Sequence, residues 1–275
     1  MAYRFTTTSD PDPFEEREDG ANGAWAIAFA AAQKAEELSE SGRSARFSID
    51  EDPSATGDHS GQAALREVGV EDDAVLAWRP GTGWELLLAG EDRRSALIDL
   101  YLPICSATKT HPITVGHLGQ SLDGFIATHS GDSQFVTGQQ NIVHLHRMRA
   151  LSDAIVVGAG TVAADDPQLT TRHVSGPSPL RVVLDPMRRL GEHYKVFRDN
   201  VAETLYVCGR SVVAADESHF GRATLVAVAD TPNGLDVAEV TRLLRARGCH
   251  RIFVEGGGVT VSMFLEANQI GRAHV

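Results

Sequence analysis

With 275 residues the chain has room for one large domain or two ordinary ones, and its 42% hydrophobic and 23% charged residues describe a globular mixture, not a fibrous or disordered one. A formal net charge of -12 disfavours sequence-independent binding to nucleic-acid phosphates, so an anionic ligand has to be held by local amides and a few cations. The three cysteines, Cys105, Cys208 and Cys249, lie outside metal-motif spacing, which argues against a disulfide framework or a structural zinc. The N-terminus lacks the order of a secretory signal and no apolar run reaches membrane-spanning length, so the expected address is cytoplasmic, with no membrane partner.

The first ten to twenty residues are polar and acidic, with two Asp-Pro steps, and read as a flexible arm. Ala21 to about Glu40 combines high helix propensity with an alanine-rich face and predicts a helix. Arg43 to Gln62, rich in Ser, Asp and Gly, reads as loop. AVLAWRPGTGWELLLAG predicts a hairpin turning at Pro80-Gly81-Thr82-Gly83, and LIDLYLPIC adds one more apolar segment before the linker Ala107 to Thr110. Beyond His111 the pattern changes. Apolar strand-like runs (HPITVGHL, DAIVVGAG, PLRVVLD, ETLYVCG, ATLVAVA, HRIFVEGG) alternate with helix-like segments (NIVHLHRMRAL, DVAEVTRLLRARG, VTVSMFLEAN). That alternation predicts an α/β domain with a mostly parallel or mixed sheet flanked by helices over 111–275, preceded by a small α+β region over 1–110.

Ligands of open α/β sheets bind at the carboxyl ends of strands, where helix N-termini offer free amides. Three such ends carry glycine, the run Ser121 to Gly124 among them, and two of the three lead into helix-like segments. One is the run Ala154 to Thr161, in which Gly158 and Gly160 let backbone approach an anion and Thr161 adds a hydroxyl; Asp165-Asp166-Pro167 then brings carboxylates to the cleft. The other is Arg251 to Gly258, where Gly256-Gly257-Gly258 leads into a helix from Val259. Either cluster alone reads equally as a tight strand-to-helix turn; the pair together shifts the reading toward a nucleotide. Asp123-Gly124 is a hairpin signal by turn chemistry. Arg149 ends a helix, where it either complements the dipole or holds a ligand, and Arg172 follows the Gly-Thr turn, well placed for an anionic substrate. His144 and His146, two apart, point to different helix faces and do not make a metal site. No serine-hydrolase elbow, zinc-protease helix or phosphate loop is present.

SLDGFIATHSGDSQFVTG, LSDAIVVGAGTVAADDPQLTTR, PLRVVLD and RIFVEGGGVTVSMFLEA, in this order, resemble the reductase domain of riboflavin-biosynthesis deaminase/reductases, from about His111 onward. The resemblance implies a dihydrofolate-reductase-like fold, NADPH as cofactor, and a phosphorylated ribosylamino-pyrimidine as substrate, its ribosyl group reduced to ribityl by hydride delivery to C1′. Carried over motif by motif, it implies cofactor contacts at Gly119, Phe135, Gly158, Gly160, Thr161, Asp165, Gly257, Gly258, Val259 and Thr260, within a run reaching Met263. It implies substrate contacts at Ser133, Arg149, Leu169, Arg172 and Glu255, with the two arginines on the ribose phosphate, and a homodimer. Four positions depart from the family pattern: Phe135 replaces Trp, Pro186 replaces Ser, His117 replaces Lys, and Phe125 follows SLDG in place of Arg. Arg188 or Arg189 stands near Pro186 to pair with a 2′-phosphate. The zinc deaminase signature is missing, so deamination is not expected. The family domain continues beyond a segment like Gln269 to Val275, so the last strands are expected to be lacking. A reductase of another heterocycle or carbonyl, or a nucleotide-binding protein without turnover, are the alternatives.

Overall fold

The computed structural model describes residues 15–50, 64–119 and 139–274. The flexible-arm reading, the Asp123-Gly124 turn, Ser133 and Phe135 lie outside the described residues. The chain divides into two compact units, Met1–Ser106 and Ala107–Val275.

In the first unit, α1 (Glu15–Ser41) is followed by β1 (Ala45–Asp50), β2 (Ala64–Val68), β3 (Leu76–Arg79), β4 (Gly83–Leu86) and α2 (Ser95–Cys105). The four strands form an antiparallel sheet in the order β2-β1-β3-β4. The predicted hairpin is β3–β4, with Trp78 opposite Trp84. The stretch expected as loop from Arg43 instead contains β1, whose Ala45, Phe47 and Ile49 alternate with polar residues as a half-buried strand does; its remainder, 51–62, lies outside the described residues. The apolar segment LIDLYLPIC forms α2. The alanine face of α1 (Ala24, Ala28, Ala31, Ala35, all fully buried) lets neighbours approach its backbone closely. Trp84 Nε1 donates to the Ala31 carbonyl at 3.1 Å, and Trp84 meets Phe47 and Trp78 edge-on at 5.4 and 5.3 Å.

The second unit contains β5 (Ile113–His117), α3 (Gln139–Leu151), β6 (Ala154–Gly158), α4 (Ala159–Asp165), β7 (Leu180–Asp185), α5 (Lys195–Arg198), β8 (Thr204–Gly209), β9 (His219–Phe220), β10 (Ala223–Val228), the small ribbon β11 (Asp230–Thr231) and β12 (Gly234–Leu235), α6 (Val237–Ala246), β13 (Arg251–Gly256), α7 (Gly258–Glu266) and β14 (Arg272–His274). Eight strands form one sheet in the order β14-β5-β13-β6-β7-β8-β10-β9, parallel except for β9 on β10. This is the mostly parallel α/β arrangement expected from the alternating pattern. Its central strands are near-continuous apolar runs because helices cover both faces. Val156, Val182, Leu205, Ile252 and Val254 pack with Val240 and Leu244 of α6 and Phe264 of α7. Helix α6 begins at Asp236, whose Oδ1 accepts from the amides of Ala238 and Glu239 at 2.9 and 3.0 Å, and its Val237, Val240, Thr241 and Leu244 form the buried stripe.

Parallel pairing brings the carboxyl ends of β5, β13, β6 and β7 to one edge of the sheet. His117, Glu255, Gly158 and Asp185 all stand there. Asp185 is fully buried; its Oδ2 accepts from the amides of Arg189 (2.6 Å) and Leu190 (2.9 Å) and from the Tyr206 hydroxyl (2.7 Å), which fixes the chain as it leaves β7.

Candidate functional site

Two groups of residues meet at this edge. The first joins the glycine-bearing ends of β6 and β13. A Cβ on Gly158 would run into Thr260 Oγ1 on α7, with Thr260 Cβ at 3.7 Å. A Cβ on Gly257 would lie 3.1 Å from Thr161 Oγ1 and 3.7 Å from Thr260 Oγ1. Gly257 also has φ +67°, a conformation that glycine adopts without steric penalty. The two glycine turns, far apart in sequence, are therefore one cradle with two threonine hydroxyls in it. Gly257 is the N-cap of α7 and makes no side-chain cap hydrogen bond, so the first amides of that helix have no intrahelical or capping partner. Gly158 precedes α4 in the same way. Gly119 lies two residues past β5, at the same sheet end. Val259 is 77% exposed, Gly160 has open space where a side chain would stand, and Asp165 is exposed at the end of α4. Asp166, next to it, turns away to α5: its Oδ1 accepts from the Lys195 amide at 2.8 Å.

The second group is charged. Glu255 occupies a bulge. Val254 pairs with Val156 and Gly256 with Val157, leaving Glu255 as the extra residue on β13. A bulge re-aims a side chain beside a sheet end, and here the Glu255 carboxylate meets Arg149 at the end of α3. Arg149 Nε donates to Glu255 Oε2 at 2.7 Å and Nη2 donates to Oε1, a side-by-side bidentate pair, while Nη1 donates to the Thr170 carbonyl at 3.1 Å. Both side chains are largely buried, at 9% and 13% exposure. Burial opposes the Arg149 charge, yet Glu255 more than offsets it and raises the guanidinium pKa. Of its two readings as a helix end or a ligand holder, Arg149 thus fits neither simply: it is committed to a carboxylate that the sequence reading assigned separately to substrate.

Arg172 is exposed, and its Nη1 donates to Thr170 Oγ1 at 2.6 Å. Burial and the neighbouring Arg149 lower its pKa, and Glu255 acts in the other direction. Its amide donates to Nδ1 of His146, 3.0 Å away on α3. Leu169, 1% exposed, has φ +56°. A bulky side chain in that region costs about 1–3 kcal/mol and persists only where surrounding contacts dictate it. His117, buried at the end of β5, is 3.2 Å by Nε2 from Asn141 Oδ1; burial lowers its pKa against the pull of Glu255 and Asn141. Arg188 is spent elsewhere, donating to Glu217 at 2.6 Å and lying 5.3 Å over the Phe220 ring. Arg189 is exposed and contributes its amide to Asp185, with no side-chain partner among the described residues.

The structure thus brings Gly158, Thr161, Gly257 and Thr260 together, and likewise Arg149, Leu169, Arg172 and Glu255. His146, a metal-ligand candidate by type, instead belongs to this cluster; its spacing of three from Arg149 on one face of α3 is the signal for it in the sequence.

An α/β domain with a glycine–threonine cradle on one side of a sheet end and a buried Arg–Glu pair on the other has the layout of a nucleotide-dependent enzyme in which a small polar substrate lies beside the cofactor. The chain belongs to the RibD C-terminal domain family, which matches residues 114–275. It is 34% identical over 167 residues to a 2,5-diamino-6-ribosylamino-4(3H)-pyrimidinone 5′-phosphate reductase of Methanothermobacter thermautotrophicus, covering 60% of this chain and 76% of that protein. It is 31% identical over 217 residues to the riboflavin biosynthesis protein RibD of Chlamydia pneumoniae, covering 76% of this chain and 52% of the relative. Among solved structures, a deaminase/5-amino-6-(5-phosphoribosylamino)uracil reductase from Thermotoga maritima shares 30% identity, with 64% of this chain and 47% of that one covered and a TM-score of 0.49. The chain thus spans about half the length of the last two of these proteins and about three quarters of the first. Among the described residues, no helix is long and apolar enough to cross a membrane.

Proposed function

We propose that the chain reduces the ribosyl group of a 5-amino-6-ribosylamino-pyrimidine 5′-phosphate to ribityl with NADPH as cofactor. The observation that carries this reading is the convergence of the two glycine-bearing strand ends on Thr161 and Thr260, at the end of the same strand that carries Glu255 of the Arg149–Glu255 pair. The cradle fits a dinucleotide: Gly158 and Gly257 let the two turns close on Thr260 and Thr161, Gly160 and Gly256 have open space where a side chain would stand, and the uncapped amides of α7 offer donors to phosphate. Thr161 and the run Gly257 to Thr260 would hold it there. When bound, NADPH supplies the hydride that C1′ of the ribosyl group accepts.

The chain's own residues bind and orient. Arg172, exposed beside the cluster, meets the substrate phosphate. Glu255, held by Arg149, presents its remaining lone pairs to a ribose hydroxyl or a pyrimidine N–H. Opening the ribose ring needs a proton at the ring oxygen. Among the described residues of the cluster, Arg149 and Arg172 keep theirs and burial lowers the pKa of His117 and His146, so none of these four is a ready donor near pH 7.

The test is substrate-dependent oxidation of NADPH by the purified chain, preceded by NADPH and NADH titrations followed by nicotinamide fluorescence. Saturable binding that prefers NADPH, and turnover only with the phosphorylated ribosylamino-pyrimidine, support the reading. A cooperatively folded chain that binds neither nucleotide overturns it. His117 and Pro186, where the family pattern has Lys and Ser, favour a second reading, a reductase of another heterocycle. Failure to restore growth of a riboflavin-requiring strain lacking only its reductase, despite NADPH turnover on another compound, would select it.

A further inference from the structure

The segment Leu169 to Arg172 carries the cation proposed to meet the substrate phosphate, yet it is irregular chain with a buried leucine at positive φ. Something has to hold it. Two side chains of α3, three residues apart on one face, reach it together: Arg149 donates to the Thr170 carbonyl at 3.1 Å, and His146 Nδ1 accepts the Arg172 amide at 3.0 Å. The Arg149 bond belongs to a residue already tied to Glu255. The His146 bond is separate, and it lands on the backbone of the arginine itself.

We propose that His146 is a positioning residue for anion binding: by accepting the Arg172 amide it fixes the backbone from which the Arg172 guanidinium reaches the phosphate of a sugar-phosphate substrate. The inference rests on the reductase reading only for the identity of that substrate. Three observations support it. His146 is 3% exposed, so water cannot replace the bond freely. The ring stands edge-on to His173 at 4.5 Å, which fixes its plane. Burial, together with the charges of Arg149 and Arg172 and the neighbouring His173, keeps the imidazole uncharged near pH 7 against a backbone contact from Thr170, so Nδ1 keeps the lone pair that the amide needs.

Two substitutions separate this role from simple packing. His146→Asn places an amide oxygen where Nδ1 stands and keeps an acceptor for Arg172. His146→Gln moves the amide one carbon further out and leaves the Arg172 N–H without one. Calorimetric titration with ribose 5-phosphate and with ribose uses the whole chain and needs no turnover. The expected result is ribose 5-phosphate binding retained in His146→Asn and weakened about tenfold in His146→Gln, with ribose binding unchanged in both. Arg172→Ala should weaken ribose 5-phosphate binding similarly, and His146→Gln should add nothing to it. In turnover with the phosphorylated pyrimidine, His146→Gln should raise KM and leave kcat unchanged. Equal effects of Asn and Gln, an equal loss for ribose, or no ribose 5-phosphate binding by the unsubstituted chain would overturn the proposal. Ribose 5-phosphate binding that follows the expected pattern in a chain without reductase activity would instead overturn the reductase reading and leave the positioning role standing.

Discussion

Gly158→Ala isolates the contact between the two halves of the cradle. Gly158 has φ -85° and ψ 158°, a backbone conformation that alanine adopts freely, so the substitution acts only through the space that the new methyl occupies. That methyl would overlap Thr260 Oγ1, while Thr260 Cβ stands at 3.7 Å, an ordinary contact. Thr260 is 5% exposed on α7, between Val261 and the glycine turn, and has little room to withdraw. Overpacking of this kind destabilises by about 1–3 kcal/mol. Thr260→Ala removes the hydroxyl and a methyl and should cost about 1 kcal/mol by itself. The double substitution replaces the overlap with an ordinary contact, so its destabilisation should fall short of the sum of the singles by about 1 kcal/mol or more. Urea denaturation of the four proteins gives these energies. NADPH titration of the same set should show affinity falling about tenfold in Gly158→Ala, as α7 is pushed from the strand end, and partly recovering in the double variant. Additive energies, or a Gly158→Ala chain as stable as the parent within about 0.5 kcal/mol, would show that the two strand ends do not share this cradle.

Glu255→Leu leaves the Arg149 guanidinium buried without its carboxylate and should destabilise the chain by about 3–5 kcal/mol in the same denaturation assay; a loss under about 1 kcal/mol would mean that Arg149 simply turns to water. Stability should also fall as pH drops from 6.5 toward about 4. His146 is held near 4 in the folded chain and returns to 6.5 when unfolded, so over that window the unfolded state binds the extra proton, a slope of about 1.4 kcal/mol per pH unit from this group. His146→Asn should flatten that part of the curve, and an unchanged slope would refute the assignment. Burial pushes the Cys208 thiol up to about 12 and the Cys249 thiol up to about 11, so neither should react with an aromatic disulfide reagent at pH 8 until denaturant is added. Rapid native labelling of either would contradict their burial.

What the sequence made legible was local. Strand ends marked by glycine, such as Gly158 and Gly257, are visible because a turn into a helix needs particular residues at particular places, and uninterrupted apolar runs such as AIVVG announce a parallel sheet covered on both faces. The alternation of Ala45, Phe47 and Ile49 was equally visible but lay in a stretch whose serines and aspartates suggested loop. What was not legible was long-range or conformational. The pairing of Arg149 with Glu255 joins residues on α3 and β13, the bulge that aims Glu255 has no residue signature, and nothing in a leucine announces φ +56°. Each residue of the charged cluster could be nominated from its type; only the fold shows that two of them neutralise each other and that a histidine holds the third. The first arginine after Pro186 illustrates the same limit, since Arg188 is a candidate for a phosphate by position and is instead paired with Glu217.

The strand order has a consequence for how the second unit comes into being. Strand β5 is the first of its sheet to leave the ribosome, yet its two neighbours are β13 and β14, the last. At about 5–20 residues per second, the roughly 130 residues between β5 and β13 take on the order of ten seconds to synthesise. Throughout that interval neither of the strands that flank Ile113 to His117 among the described residues exists, while β6, β7 and β8 can already assemble beside one another. The nascent chain therefore carries an unpaired strand ahead of a growing partial sheet. The same closure that unites the glycine turn of β13 with that of β6 makes the cradle among the last features of the unit to exist.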